Sequence, residues 1–308
     1  MLTSEQVRFF HENGYLIMRQ ILPPEDIAAL RRAVDRLQAT AISRLADPGY
    51  LEKAAQLNQD WIEHPHDHFV YRRKPDGTYS FHRIERGFTQ DPIFAQVAMS
   101  SRLLTPVWQV LERPFWPRAG NVVVKLPHEG AAVRWHQDIP YLYWSSGGHP
   151  SKGRPTTHPI PNFTTDIYLE PSTESNGCLY AIPGSHRNGT VDVDRLVAEQ
   201  GWFLKGAVPL ELEPGDVMFH HVALVHGSPE NHSPLQRRTF YVHYLTDETV
   251  ADAYSDWPDL KTADENEAFW SQALADRQAA CSAERAQTPG FRVTREGIAL
   301  AQHAPVAA

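Results

Sequence analysis

The chain has 308 residues, of which 42% are hydrophobic and 21% charged, a composition typical of a globular protein with a sizeable core. Its formal net charge of −8 argues against a broadly electropositive surface, so nucleic acid is a poor candidate partner. Two cysteines exclude a disulfide framework and fit a reducing compartment, whereas sixteen histidines favour a metal site of imidazole and carboxylate ligands.

The N-terminal part predicts a helix, a short strand and a second helix. Thr3 and Gln6 have the spacing of a capping box, which predicts a helix that begins after Thr3. A short apolar strand is predicted at 15–18. The second helix should begin near Pro24, because proline suits the first turn of a helix. Its apolar residues recur at helical spacing and are Ile27, Leu30, Ala33, Val34 and Leu37.

The middle of the chain predicts β-structure. Proline, glycine and asparagine separate the apolar runs, as in an all-β sandwich or barrel. From about residue 246 the chain returns to helix and loop. We therefore predict one domain, 1–308, that is mainly β, with a barrel core at about 120–245 and flanking helices. The predicted strands lie at 121–125, 164–169, 178–182, 217–219 and 238–244.

Neither a targeting signal nor a membrane span is predicted. Residues 1–10 carry charged side chains and lack the apolar region of a signal peptide. No stretch approaches the ~20 apolar residues of a transmembrane helix. We therefore expect a cytoplasmic protein, with neither nucleic acid nor membrane among its partners.

A histidine and an acid in one predicted strand are the first candidate metal ligands. His136 and Asp138 are two residues apart, so both side chains point to the same face of a strand. An imidazole and a carboxylate can bind a divalent first-row metal, and a second histidine would complete a facial triad with open positions. A core histidine bonded to a nearby acid is the alternative.

His226 is the best candidate for the third ligand. It follows a turn signal at 213–216 and a short predicted strand. Its neighbours His220 and His221 could compete for the metal. The Gly-Ser pair after His226 and the spacing to a later arginine favour His226.

That arginine is Arg237, eleven residues after His226. An arginine that faces the metal could clamp the carboxylate of an acidic cosubstrate in a bidentate pair. Arg238 alternates to the other face of the strand, so one of the two points inward, and the spacing favours Arg237. A metal triad and a carboxylate anchor would together make a complete site.

The order of these motifs resembles the phytanoyl-CoA dioxygenase (PhyH) family of iron(II)/2-oxoglutarate oxygenases. The resemblance covers roughly residues 4–245 and includes the N-terminal segment 9–16. Each motif alone is weak, but their shared order is a strong signal. The motifs are His136-Gln137-Asp138, then Asn176-Gly177-Cys178-Leu179 with 182–186, then Pro214-Gly215-Asp216, and finally His226-Gly227-Ser228 with Asn231 and Arg237.

The resemblance implies a double-stranded β-helix, or cupin-like jelly roll, in which His136, Asp138 and His226 bind iron(II). It implies that Arg237 pairs with the distal carboxylate of 2-oxoglutarate and that Ser228 hydrogen-bonds nearby. Such enzymes use O2 and 2-oxoglutarate, release succinate and CO2, and most often hydroxylate an unactivated C–H bond. Desaturation, cyclisation and epimerisation stay open, whereas Asp138 disfavours halogenation because related halogenases carry a small residue there.

Further residues near the predicted triad are candidates for a substrate pocket. Arg134 shares strand parity with His136 and could bind an anionic group, or it could lie at the strand edge. The loop at 145–161 is either a lid or a surface insertion. Four aromatic residues could line the pocket or pack the core, namely Trp135, Tyr141, Tyr143 and Trp144.

Two other functions stay open on the sequence. The jelly roll could be a non-catalytic binding protein, although a pure binder has no need of a carboxylate anchor. A zinc hydrolase built on the same three ligands would act without oxygen. The expected partner is a small-molecule substrate, in secondary metabolism or catabolism, and the chain should be a monomer or a homodimer. The net charge argues mildly against highly anionic CoA esters as substrates.

Overall fold

The computed structural model describes residues 1–138, 162–246, 263–281, 284 and 289–302. Its strands are β1 (Tyr15–Met18), β2 (Ala55–Gln56), β3 (Trp61–Glu63), β4 (Phe69–Arg73), β5 (Tyr79–Ile84), β6 (Trp116–Lys125), β7 (Val133–His136), β8 (Phe163–Tyr168), β9 (Leu179–Ala181), β10 (Val208–Leu210), β11 (Val217–His221), β12 (His226–Ser228), β13 (Arg237–Leu245), β14 (Phe291–Thr294) and β15 (Gly297–Leu300). Its helices are α1 (Ser4–Asn13), α2 (Pro24–Arg44), α3 (Pro48–Leu51), α4 (Gly87–Gln90), α5 (Pro92–Ala98), α6 (Ser101–Leu111), α7 (Val193–Gln200) and α8 (Ala263–Ala280).

Two antiparallel sheets that face each other form the core. The larger sheet has the strand order β1-β11-β8-β13-β6-β5-β4-β3-β2, and the smaller has the order β10-β9-β12-β7. Side chains of the two sheets meet between the layers, where Thr164 of β8 donates a hydrogen bond to Asp138, just beyond β7. This arrangement is the predicted jelly roll. Within the described residues the sheets stay open at their edges, so the closed barrel of the sequence prediction is not formed.

The larger sheet begins well before the predicted core of 120–245. Strands β2 to β5 add an antiparallel meander between residues 55 and 84, and β1 pairs with β11 at the opposite edge. The prediction of a strand at 15–18 is thus confirmed. Strands β2 to β5 are not among the predicted elements, because they are short and carry charged residues that obscure the alternation.

The predicted capping box of α1 is confirmed. Thr3 Oγ1 accepts a hydrogen bond from the backbone N–H of Gln6 at 3.2 Å, and Gln6 Oε1 accepts one from the backbone N–H of Thr3 at 2.9 Å. The helix ends at Gly14, whose φ of +80° lies in the left-handed region that favours glycine. A Cβ there would lie 2.4 Å from His186 Nδ1, so this turn also requires glycine for space.

The longer helices cover the outer face of the larger sheet. Leu30 and Val34 of α2 and Phe94 of α5 are buried in one apolar cluster with Val122 of β6 and Phe240 of β13. The predicted apolar stripe of α2 is therefore confirmed. Because side chains alternate along a strand, the residues next to Val122 and Phe240 point to the opposite face, toward the smaller sheet. None of the helices in the described part of the chain combines the length and apolar character needed to cross a bilayer.

A buried ionic cluster holds α8 against the other helices. Arg277 donates hydrogen bonds to both carboxylate oxygens of Asp26, at 2.7 Å each, and two to Glu284 Oε2, at 2.6 and 3.1 Å. Ser100 also donates to Glu284, at 2.8 Å. All four side chains are buried. Removal of the arginine would therefore leave two carboxylates in the interior without their cation.

Replacing Arg277 with methionine should lower the free energy of unfolding by about 3–5 kcal/mol, because breaking a buried ion pair leaves uncompensated charge. Denaturant unfolding measures this loss. Arg195→Met is the matched control, since the ion pair of Arg195 with Glu199 on α7 is exposed and should contribute at most about 1 kcal/mol. Equal losses in the two variants would contradict the prediction.

The C-terminal part contains a hairpin that the sequence does not predict. Strands β14 and β15 pair antiparallel, and Ile298 forms a backbone bridge with Phe115. Gly297 has a φ of +132°, and a Cβ there would lie 2.7 Å from the carbonyl oxygen of Phe115. The sequence analysis predicted only helix and loop after residue 246 and therefore omitted this hairpin. Its strands are too short to show a clear period in the sequence.

Candidate metal centre and cosubstrate site

The structure brings His136, Asp138 and His226 together. β7 and β12 are neighbouring strands in which His136 lies directly opposite His226. Asp138 Oδ1 lies 3.5 Å from His136 Nε2 and 3.8 Å from His226 Nε2. One possible ligand atom from each residue lies within 4.8 Å of the others, and the described residues contain no second group of this kind.

Backbone carbonyl groups set the tautomers of both histidines. His136 Nδ1 lies 2.7 Å from the carbonyl oxygen of Arg134, and His226 Nδ1 lies 2.9 Å from that of Leu224. A carbonyl oxygen only accepts hydrogen bonds, so each Nδ1 carries a proton, and in the neutral imidazole it is then Nε2 that has the free lone pair. A ligating histidine commonly donates its other N–H in this way. Two imidazole nitrogens and a carboxylate oxygen fit iron(II).

Burial affects the pKa values of His226 and Asp138, the two most enclosed groups of the triad. The side chains of His226 and Asp138 are 7% and 11% exposed, against 28% for His136. Burial, together with the nearby His136, holds the pKa of His226 well below its usual value, so this imidazole is neutral. Burial acts to raise the pKa of Asp138, but the hydrogen-bonding contact with His136 holds it well below its usual range. A neutral His226 and an ionised Asp138 are the states that metal ligation requires.

The two competing histidines point to other partners. His220 Nε2 lies 3.4 Å from Asp166 Oδ2, and His221 Nδ1 accepts a hydrogen bond from the backbone N–H of Ala223 at 2.9 Å. The His220 ring nevertheless lies 4.6 Å from the ring of His226. A buried histidine–aspartate pair therefore lies beside the triad. The sequence analysis did not identify Asp166 as a site residue. Its only signal in the sequence is the two-residue spacing from Thr164, which places both side chains on the same face of β8.

The guanidinium of Arg237 is buried next to Ser228. It donates to Thr239 Oγ1 at 2.7 Å and to Ser228 Oγ at 3.4 Å. Its Nε has no hydrogen-bond partner, and no carboxylate within the described part of the chain forms a salt bridge with it. Arginine keeps its positive charge in proteins. A buried cation without a carboxylate partner is costly alone, so this arrangement suits an anionic ligand.

Arg238 has a different environment. Its guanidinium donates to Glu170 at 2.6 Å and to Asp35 at 2.5 Å, which links β13 to the end of β8 and to α2. The alternation along β13 therefore directs Arg237 and Arg238 to opposite faces. Arg237, which faces inward, has no anionic partner among these contacts, whereas Arg238 has two.

Tyr168 is a further polar group beside Arg237. Its side chain is fully buried, and its hydroxyl has no hydrogen-bond partner within the described part of the chain. The guanidinium carbon of Arg237 lies 5.8 Å from the centre of the Tyr168 ring. Burial raises the pKa of Tyr168, so the hydroxyl keeps its proton and can donate. Arg237, Ser228 and Tyr168 thus provide hydrogen-bond donors in one place.

A buried lysine supports this end of the site. Lys125 Nζ donates to the carbonyl oxygens of Ala131 and Pro229 at 2.6 Å each, and it lies 3.5 Å from that of Ser228. Burial holds the pKa of Lys125 well below its usual value. These bonds tie β6 of the larger sheet to the segments before β7 and after β12. The sequence prediction missed this residue, which has no recognisable motif.

The predicted substrate-pocket residues are not all brought to the triad. Arg134 lies on the same face of β7 as His136 and is exposed. Trp135 points to the opposite face, where it packs with Cys178 and Val225 and donates from Nε1 to the carbonyl oxygen of Trp202 at 2.6 Å. Its contacts are therefore those of a core residue. The remaining predictions, Tyr141, Tyr143, Trp144 and the loop 145–161, lie outside the described residues.

Comparisons with known proteins agree with the fold. The family model of phytanoyl-CoA dioxygenase (PhyH) matches residues 10–239. Phytanoyl-CoA dioxygenase 1 of Oryza sativa subsp. japonica is 26% identical over 276 residues, which cover 83% of this chain and 93% of the rice protein.

Two solved structures share the fold. EctD from S. alaskensis, solved with 2-oxoglutarate and 5-hydroxyectoine, has a TM-score of 0.54 and 22% identity over 79% of this chain and 76% of its own. The non-haem alpha-ketoglutarate-dependent carbocyclase SnoK from nogalamycin biosynthesis has a TM-score of 0.55 and 19% identity, over 79% of this chain and 84% of its own.

The fold and the site define the class of the protein as an iron(II)- and 2-oxoglutarate-dependent dioxygenase. The jelly roll brings two histidines and an aspartate together, and a buried arginine lies nearby. The chain belongs to the phytanoyl-CoA dioxygenase (PhyH) family, as its motifs predict.

Proposed function

We propose that this dioxygenase hydroxylates an unactivated C–H bond of a small molecule, with His136, Asp138 and His226 as the ligands of iron(II). The observation that carries the proposal is the convergence of these three side chains, with Nδ1 of each histidine bonded to a backbone carbonyl and Nε2 facing Asp138. Bound iron supplies the activation of O2 at coordination positions that a facial triad leaves open.

The second part of the proposal concerns the cosubstrate. Arg237 binds the distal carboxylate of 2-oxoglutarate as a bidentate, charge-assisted pair. Ser228 already contacts this guanidinium. The hydroxyl of Tyr168, which has no hydrogen-bond partner among the described residues, is available as a further donor. A carboxylate held in this way places the rest of the cosubstrate in one orientation, which lowers the entropic cost of the reaction.

The substrate is proposed to be small and polar. Three inward-facing residues on neighbouring strands, Asp166, Tyr241 and His243, provide polar surface between the sheets, and Asp166 and His243 are buried. The negative net charge argues in the same direction, against highly anionic CoA esters. Desaturation, cyclisation and epimerisation are alternative outcomes, because a fold does not determine the product.

We also propose that residues 1–308 form one domain of a cytoplasmic monomer or homodimer. The buried bond between Arg277 and Asp26 supports a single domain, because it joins the C-terminal helix to α2. The two free cysteines support a reducing compartment.

The test is turnover by the purified protein with Fe(II), ascorbate, 2-oxoglutarate and candidate small molecules. Succinate formation that depends on O2 and increases with a substrate would support the proposal. Turnover under anaerobic conditions would instead indicate a zinc hydrolase. Bound iron and 2-oxoglutarate without any substrate-stimulated succinate would favour the binding protein. Failure to bind 2-oxoglutarate would refute the cosubstrate site.

Replacing Arg134 with glutamine should raise the KM for the substrate or for 2-oxoglutarate about fivefold, since an exposed charge pair contributes up to about 1 kcal/mol. Arg134 is exposed on the face of β7 that carries His136, so it can meet an anionic group on its way to the triad. Arg195→Gln, on the exposed helix α7, is the control. Unchanged KM values for both compounds would contradict the prediction.

A further inference from the structure

We infer that Thr164 and His243 position Asp138, so that only its Oδ1 faces the metal. The inference rests on the proposed metal site and assigns two residues that do not touch the metal. Thr164 Oγ1 lies 2.6 Å from Asp138 Oδ2. Both histidine ligands instead approach Oδ1, at 3.5 and 3.8 Å from Nε2. The two oxygens of the carboxylate therefore have different partners.

The Thr164 hydroxyl has one proton, and this determines which atom donates in each of its two hydrogen bonds. Thr164 Oγ1 also lies 2.8 Å from His243 Nδ1. The carboxylate of Asp138 can only accept, so the single hydroxyl proton of Thr164 is donated to Oδ2. The hydroxyl oxygen must then accept from His243, whose Nδ1 carries the proton. The chain of bonds runs from His243 through Thr164 to Asp138.

The strand register makes this chain of bonds rigid. Thr164 on β8 and His243 on β13 are directly paired residues in the larger sheet. Both are buried, at 2% and 6% exposure. Asp138, by contrast, follows the end of β7 in the smaller sheet, so its carboxylate is held from the opposite layer. The paired strands β8 and β13 hold a metal ligand more precisely than the segment after β7 that carries Asp138.

The consequence is a carboxylate that binds the metal through one oxygen. A carboxylate free to rotate can bind through both oxygens and occupy a further coordination position. With Oδ2 held by Thr164, a bound metal would keep its remaining positions available for 2-oxoglutarate and O2. Thr164 and His243 are thus positioning residues, and their loss should be seen first in metal affinity. Outer partners of metal ligands typically contribute about 10–100-fold to affinity.

The decisive experiment measures the Kd for Fe(II) of the metal-free protein by anaerobic titration calorimetry. Thr164→Val removes the hydroxyl at nearly constant volume and should weaken binding about 10–100-fold. Thr164→Ser keeps the hydroxyl and should restore most of the affinity. Thr165→Val is the matched control, because Thr165 is the next buried residue of β8 and its hydroxyl contacts the carbonyl oxygen of Val242 at 3.4 Å.

A second pair of variants tests the other end of the chain of bonds. In His243→Asn the side-chain amide can replace the Nδ1–H donor, whereas His243→Leu has no donor. The affinity for Fe(II) should stay close to that of the wild type in the first and fall several-fold in the second. This pair alone decides the question if Thr164→Val does not fold.

The outcomes separate this inference from the proposed function. Loss of Fe(II) binding in His136→Ala together with equal affinity in Thr164→Val and Thr165→Val would overturn the inference and leave the metal site intact. Wild-type affinity in His136→Ala would refute the metal site itself. Weaker binding in Thr164→Val and His243→Leu, with recovery in Thr164→Ser and His243→Asn, would support both.

Discussion

His136→Ala is expected to abolish turnover and to weaken Fe(II) binding by more than the roughly 100-fold that the loss of an outer partner can cause. The variant removes one of two imidazole ligands, and the remaining histidine and Asp138 cannot hold the metal in a facial triad. Anaerobic titration calorimetry gives the Kd for Fe(II), and succinate formation gives the turnover. His136 is the most exposed of the three residues, so the variant should fold.

The control for this variant is His232→Ala. His232 has a side chain that is 77% exposed and lies against Glu230 on the protein surface. Its loss should change neither the affinity for Fe(II) nor the turnover. Retained turnover in His136→Ala would show that the triad is not the metal site.

The second large effect is expected from Arg237→Gln. Removing one partner of a buried charge pair costs roughly 2–5 kcal/mol, which corresponds to a rise of about 30-fold or more in the Kd for 2-oxoglutarate. The affinity for Fe(II) should not change, because Arg237 contacts Ser228 and Thr239 and none of the three metal ligands. Calorimetry with 2-oxoglutarate under anaerobic conditions measures the effect.

Arg238→Gln is a matched control at the adjacent position. Arg238 pairs with Glu170 and Asp35, so its loss should lower the free energy of unfolding but leave the affinity for 2-oxoglutarate unchanged. The two variants should therefore separate binding from stability. An unchanged Kd in Arg237→Gln, or an equal rise in both variants, would be incompatible with a carboxylate anchor at Arg237.

Local patterns were sufficient to predict several features of the site. His136 and Asp138 are two residues apart, and the period of a strand by itself directs both to one face. The same rule directs Trp135 to the other face, where it packs with Cys178 and Val225. The sequence left two roles open for Trp135, lining the pocket or packing the core, and these contacts favour core packing.

The partners of Asp138 could not be predicted in this way. Along the chain, Thr164 lies 26 residues from Asp138, and His243 lies 79 residues from Thr164. Threonine and histidine on a strand carry no signal of such contacts, because these residue types are common in sheets and surfaces alike. Only the register of β8 with β13 and the packing of the smaller sheet on the larger one bring the three side chains together.

The sequence by itself determined the family, the residue types of a metal site and the approximate positions of the core strands, because these depend on spacing along the chain. The tertiary structure decided which arginine lies beside Ser228, which oxygen of Asp138 faces the histidines and which polar groups stay without partners. These depend on contacts between strands that are distant in sequence. Of the sixteen histidines in the sequence, the structure places His136 and His226 together with Asp138 in one candidate metal site.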